Sequence, residues 1–346
     1  MEDMGLAICK ELYQRKNFLA NTPVSTIYFG GGTPSLLPKS ILHSILDTVN
    51  NHFLVEKNVE ISFEANPDDI TKERLIEWMD TGINRLSIGI QSFQEADLAW
   101  MNRAHTADQS FQSINWVNEV GFTNYSIDLI YGSPALTDSA WEENLAFVVQ
   151  HNIKHLSAYA LTVEPRTALA KQIQQQKIAD VDPDKQAKHF AILCAWANNH
   201  NYSHYEISNL AKEGYRSNHN ANYWKGLPYL GVGPSAHSFD GKNRGWNISN
   251  NALYIQALKN NQNIYEEEKL TDTQRANEYI MTSIRTIEGL DLTHIQDLLG
   301  EAAISMILRS ANKAIHNGLL QKEHNILTLT QAGKFLADGI AADLFL

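Results

Sequence analysis

The residues best suited to chemistry stand where apolar runs stop. The first run, residues 24–37 (VSTIYFGGGTPSLL), reads as a buried strand through Ile27, Tyr28 and Phe29 and breaks at Gly30, Gly31 and Gly32. Three glycines let the backbone turn through conformations closed to other residues and bring bare amides against a ligand, and Thr33 adds a hydroxyl. Four later runs, residues 58–65 (NVEISFEA), 84–90 (NRLSIGI), 124–130 (NYSIDLI) and 154–161 (KHLSAYAL), place Glu64 and Asn66, Gln91 and Ser92, Asp128, and Tyr159 near their ends. Ionised Glu64 and Asp128 only accept hydrogen bonds and suit hydroxyls or an ammonium, whereas Gln91 donates and accepts. The structural alternatives are a plain tight turn at the glycines and carboxylates that cap neighbouring helices. Farther along, His219 is a candidate metal ligand with the flat apolar surfaces of Tyr223 and Trp224 beside it, and His237 is a second candidate. The alternative for His219 is a side chain that stitches an aromatic loop by hydrogen bonds.

Such an array needs strands that alternate with helices. Helical patterns at residues 4–16, 39–53, 71–81, 93–103, 108–120 and 139–151 precede or separate the five runs, with Thr71 as an N-cap and Gly82 and Gly121 as stops. The alternation predicts a parallel sheet, a barrel or part of one, with its working residues at the C-terminal strand ends. Beyond it, residues 167–176 and 183–199 read as helices, 202–209 as a strand, and 210–251 as one long aromatic-rich loop, ordered and functional. From residue 270 the chain reads as helices at 271–287, 291–298 and 302–317, a hairpin of 319–321 with 326–329, and a last helix at 331–345. That unit looks like a winged helix, but its 6 basic against 9 acidic residues favour a packing or partner role over DNA binding. Three units follow: 1–165, 166–269 and 270–346.

Bulk properties narrow the class. The chain has 346 residues, 43% of them hydrophobic, enough to bury a sizeable core. A formal net charge of -11 opposes a nucleic-acid or anionic-membrane surface as the main partner. No run approaches the roughly 20 apolar residues of a membrane span, and no signal peptide opens the chain. Cys9 and Cys194 form neither a disulfide framework nor a closely spaced metal pair. The expectation is a cytoplasmic chain with no nucleic acid partner and no permanent membrane attachment.

YFGGGTPSLL (28–37), ISFEANPDDI (61–70), RLSIGIQSF (85–93) and SIDLIYGSP (126–134) together resemble the radical S-adenosylmethionine proteins of the oxygen-independent coproporphyrinogen oxidase type. Within them, HNxxYW at His219 to Trp224, YLGVGPSAHSF (229–239) and the ending from Gly318 resemble the HemW-type heme chaperones. The resemblance implies a partial (β/α)6-type barrel of class α/β, its first strand absent, with a C-terminal α+β winged-helix-like domain. It implies S-adenosylmethionine contacts at Gly31, Gly32, Thr33, Glu64, Gln91, Arg103 and Asp128; Arg103, on a predicted helix end, suits the methionine carboxylate or, as the alternative, a surface salt bridge. It also implies heme at His219, Tyr223 and Trp224, and a heme-acceptor protein as partner. The family's CxxxCxxC, whose thiolates hold a [4Fe-4S] cluster, is absent, and neither cysteine matches it. The missing motif and the missing strand share one expected cause, a late start from a misplaced initiation site, and the cluster is expected only in a complete form. Without that strand the barrel should keep an exposed edge. Two functions are implied: a carrier that binds heme and transfers it, favoured by HNxxYW, or a coproporphyrinogen dehydrogenase acting through a 5'-deoxyadenosyl radical. An inactive remnant is the third.

Overall fold

A computed structural model describes all 346 residues. Five strands, β1 (Val24–Phe29), β2 (Val55–Ala65), β3 (Arg85–Gln91), β4 (Tyr125–Tyr131) and β5 (His155–Ala160), pair in parallel in that order and curl into a half-barrel. Two short antiparallel strands, β6 (Ser203–Glu206) and β7 (Asn209–Ala211), extend the sheet beside β5. The single strand read at 202–209 is therefore a hairpin. Its turn is built by the Glu206 carboxylate, which accepts from Ser208 N and Asn209 Nδ2.

Side chains alternate across the sheet. Phe63, Leu86, Ile88, Ile127, Leu129 and Leu156 face outward beneath the covering helices and belong to a core of 35 buried residues. The opposite set is polar: Ser62 and Glu64, Arg85 and Ser87, Ser126 and Asp128, Ser157 and Tyr159 line a cavity inside the half-barrel. A filled barrel would pack branched apolar residues there; this one is lined mostly by hydroxyls and charged groups. The connecting helices begin and end on expected caps. Thr71 Oγ1 accepts from Arg74 N, Thr106 forms a capping box with Gln109, and Gly121 ends its helix at φ 95°. β1 pairs only with β2, so its outer edge has no backbone partner.

The stretch read as a long loop is not one. It holds a helix, Asn218–Trp224, and the strands β8 (His237–Phe239) and β9 (Asn243–Asn247), which form a sheet with β10 (Tyr265–Lys269). Two turns of helix are too short to show a period, and β9 finds one of its partners some 20 residues downstream. HNxxYW consequently lies on a helix, capped by Ser217 Oγ, which accepts from Asn220 N. YLGVGPSAHSF serves packing: Gly231 approaches so closely that a Cβ would sit 1.9 Å from the His237 carbonyl oxygen. Gly231→Ala is expected to cost about 2–3 kcal/mol, because backbone cannot yield as a side-chain tip can. A lowered midpoint in urea, with an unchanged slope, is the readout.

The last unit has its own cluster of 14 buried residues, from Ala276 to Leu344. Helices Asp272–Ser283, Leu292–Leu299 and Glu301–His316 pack with β11 (Leu290–Asp291), β12 (Leu320–Glu323) and β13 (Ile326–Leu329), the last two forming the expected hairpin. The first of these helices stops short of residue 287, since Ile287 N turns to donate to Tyr205 O. The final helix is broken into Gln331–Lys334 and Ala337–Asp343, because Phe335 swings onto Phe190 at 5.7 Å. No helix is long and apolar enough to cross a membrane.

Candidate functional site

At the C-terminal end of β1 the chain enters the glycine turn. Gly31 and Gly32 take φ of 74° and 78°, and nothing lies within 4 Å of where their side chains would stand. Gly30 is required for the opposite reason, since a Cβ there would come 2.4 Å from Tyr28 Cε1 and 2.8 Å from Glu64 Oε1. The turn is folded onto Glu64, whose Oε2 accepts from Gly31 N at 3.1 Å and whose Oε1 accepts from Tyr28 Oη at 2.6 Å. Thr33 is exposed at the rim, with no partner for its hydroxyl.

Across the mouth, β3 ends irregularly: its register with β4 shifts between Ile88 and Gln91, and Gln91 is held at φ 66°. A non-glycine residue in this region costs on the order of 1–3 kcal/mol, and such strain gathers at working sites. Gln91 folds back over Gly89, whose Cβ would meet Gln91 Nε2 at 3.0 Å and Asn66 Oδ1 at 3.5 Å. Arg103 Nη2 donates to Asn66 Oδ1 at 3.2 Å, while its buried Nε has no partner. The helix expected at 93–103 is only Glu95–Trp100, so Arg103 stands on the loop beyond it, not on a helix end. Ser92 leaves the mouth altogether, buried against Asn144 Nδ2 at 3.1 Å.

Asp128 projects from β4 into the cavity. Burial pushes its carboxyl up to about 7; the hydroxyls of Ser157 and Ser87 hold it down, and the charge of Glu64 pushes it higher. Tyr28 and Tyr159 line the same cavity. The structure thus gathers Gly31, Gly32, Thr33, Glu64, Gln91, Arg103 and Asp128 around the strand ends.

The helix Asn218–Trp224 lies over β1 and β2 and brings His219 to the same region. Glu60 on β2 accepts from Asn218 N at 3.1 Å and His219 N at 3.0 Å. The imidazole stacks on Tyr28 at 4.4 Å and 15°, meets Tyr223 edge-on at 4.9 Å, and places Nδ1 3.3 Å from Thr26 Oγ1. Desolvation lowers its pKa to about 4, so the ring is neutral at pH 7. Tyr223 is 43% exposed, whereas Trp224 lies under Arg285, whose guanidinium carbon is 5.5 Å from the ring centroid. His237 is exposed on β8, with Trp246 as its aromatic neighbour, outside the cavity.

Tyr28, Thr26, Glu60, Arg85 and the cavity serines were invisible to a search of strand ends alone. The signal that finds them is period two: polar residues recur at every second position of each strand.

The glycine turn, the acidic groups and Arg103, bound to Asn66 through Nη2 with its buried Nε unpaired, meet at one mouth of the half-barrel. Residues 10–148 match the Radical SAM superfamily and residues 270–336 the HemN C-terminal domain. The fold is that of coproporphyrinogen III oxidase (HemN) from Escherichia coli, a radical SAM enzyme, with a TM-score of 0.84 over 99% of this chain and 83% of that one at 24% identity. The protein named heme chaperone HemW from Mycobacterium tuberculosis is 33% identical over 340 residues, 98% of this chain and 85% of the relative. That of Bacillus subtilis is 29% identical over 319 residues, 92% and 84% of the two chains. The chain belongs to the heme chaperone HemW family.

The residues present do not fit an iron–sulfur cluster. Cys9 lies on the opening helix and Cys194 is buried on the helix Pro183–Asn199, and no three His, Cys, Asp or Glu side chains converge to hold a metal ion.

Proposed function

We propose that this protein takes up heme through His219 and passes it to an acceptor protein, with S-adenosylmethionine held at the strand ends. The observation that carries the reading is the setting of His219. A neutral imidazole has its plane fixed by Tyr28 and Nδ1 beside a hydroxyl, and Nε2 has no partner in the chain. When Nδ1–H donates to Thr26, Nε2 offers its lone pair to iron, the arrangement typical of metal-bound imidazoles. Tyr223 supplies a half-exposed aromatic surface for the porphyrin. The relatives' name, heme chaperone, supports the same reading.

For S-adenosylmethionine the donor set is complementary. Glu64, backed by the turn at Gly31 and Gly32 with Thr33, suits the ammonium, and the partnerless Arg103 Nε suits the carboxylate. Asp128 and Gln91 suit ribose hydroxyls. Bound, the molecule brings a sulfonium whose positive charge the acidic mouth offsets. In this reading residues 1–165 hold S-adenosylmethionine, 166–269 present the heme ligand, and 270–346 pack against them and offer a partner surface.

Absorbance titration with heme beside His219→Ala tests the proposal. Wild type should saturate at one heme per chain, and the substitution should shift the Soret band and weaken binding at least tenfold. Binding and spectrum unchanged in the variant would remove His219 and bring His237 forward. A folded wild-type chain with no saturable binding would end the carrier reading.

A further inference from the structure

We infer that Tyr28 joins the S-adenosylmethionine site and the His219 site into one thermodynamic unit, so that each ligand tightens the binding of the other. The inference rests on the reading of the two sites above. One side chain touches both: its hydroxyl donates to Glu64 Oε1 at 2.6 Å, and its ring covers the His219 imidazole at 4.4 Å, nearly parallel. Thr26, two residues earlier on the same face of β1, meets His219 Nδ1, so one strand fixes both the plane of the imidazole and the place of its Nδ1. The glycine turn closes the assembly, because Gly30 lies against both Tyr28 Cε1 and Glu64 Oε1. Burial and the Glu64 charge push the phenol above its usual range, so Tyr28 remains the donor in this pair at working pH.

The sign follows from hydrogen-bond capacity. A carboxylate accepts about four hydrogen bonds, and Glu64 receives two from the chain. An ammonium therefore adds to Gly31 and Tyr28 without displacing either. A carboxylate so fixed fixes the phenol, and the phenol fixes the imidazole. Ordering done on the arrival of one ligand is not repeated for the second, which gives positive cooperativity without a change of fold. Linkage makes the factor the same in both directions.

The experiment is a heme titration of the full chain with and without saturating S-adenosylmethionine, and the reverse titration by calorimetry, on wild type, Tyr28→Phe and Gly30→Ala. In wild type each ligand should lower the Kd of the other by the same factor, about fivefold or more. Tyr28→Phe keeps the ring, loses the hydroxyl, and should bring the factor near one, whatever change it makes in each separate Kd. Gly30→Ala presses a methyl on the same hydrogen bond and should do likewise; it decides the matter if near-UV circular dichroism shows Tyr28→Phe misfolded. A factor that persists in both variants overturns the inference, as does a factor of one in wild type that binds both ligands, or wild type that binds heme and no S-adenosylmethionine. Failure of the underlying reading looks different: heme binding would be indifferent to His219→Ala.

Discussion

Replacing Asp128 by asparagine is expected to leave stability unchanged at pH 4, raise it by about 2–3 kcal/mol at pH 8, and weaken S-adenosylmethionine binding. Burial lifts the folded-state pKa from 3.8 to about 7. Between those values the folded chain keeps a proton that the unfolded chain has released, so stability falls as pH rises, by up to ~1.4 kcal/mol per unit. Above pH 7 the loss is complete and constant. Asp128 keeps part of its surface open to the cavity, so the total stays below the full product of shift and slope. Urea unfolding of both proteins at pH 4, 6 and 8 checks this; a difference that does not vary with pH would mean that Asp128 titrates normally. The binding arm runs opposite in sign. The ribose hydroxyls donate best to the ionised carboxylate, so wild-type affinity should fall as the pH drops below 7, and Asp128→Asn should be weaker than wild type at pH 8 and flat with pH.

Glu11→Ala is expected to cost about 4 kcal/mol. Glu11 lies on the opening helix, Glu2–Gln14, and is 1% exposed. Its carboxylate accepts from Arg15 Nη1 at 3.2 Å, Asn247 Nδ2 at 2.7 Å, Gly233 N at 2.9 Å and Tyr254 Oη at 2.6 Å. Alanine leaves Gly233 N and Tyr254 Oη unpaired beside a void, while Arg15 Nη1 and Asn247 Nδ2 keep the carbonyls of Gly231 and Gly233; each buried unsatisfied group costs about 1–3 kcal/mol. Glu11→Gln keeps one acceptor oxygen but turns an N–H toward a donor, so it should fall between. Chemical denaturation gives the ordering, and a cost below 1 kcal/mol for alanine would show that water or neighbouring groups replace the carboxylate.

The five parallel strands were legible because each is a short apolar run closed within a residue or two by glycine or a polar residue, signals that act within a few residues. Glu64 and Gln91 were legible for the same reason, since they stand at the ends of β2 and β3, whereas Asp128 lies in the middle of β4 and reaches the site from inside the half-barrel. What the sequence hid depends on contacts made at long range. Asn218–Trp224 became a helix lodged on β1 and β2 through Glu60, which lies 158 positions away from Asn218. Arg103 fell off its helix at Asn102, held at φ 54°. Phe335 broke the last helix to reach Phe190. The polar lining of the half-barrel was present in the alternation of every strand, but only closure of the sheet turns five alternating strands into one cavity.

The carboxylate of Glu11 also sets an order of events. Three of its partners, Gly233, Asn247 and Tyr254, are between 222 and 243 positions downstream. At ribosomal speeds of roughly 5–20 residues per second, the helix that carries Glu11 waits on the order of 10–50 s for the residues that will hold it. A helix of 13 residues is marginal alone in water. This helix is therefore made well before it can settle, and in the finished molecule Glu11→Ala should speed the exchange of its amide hydrogens.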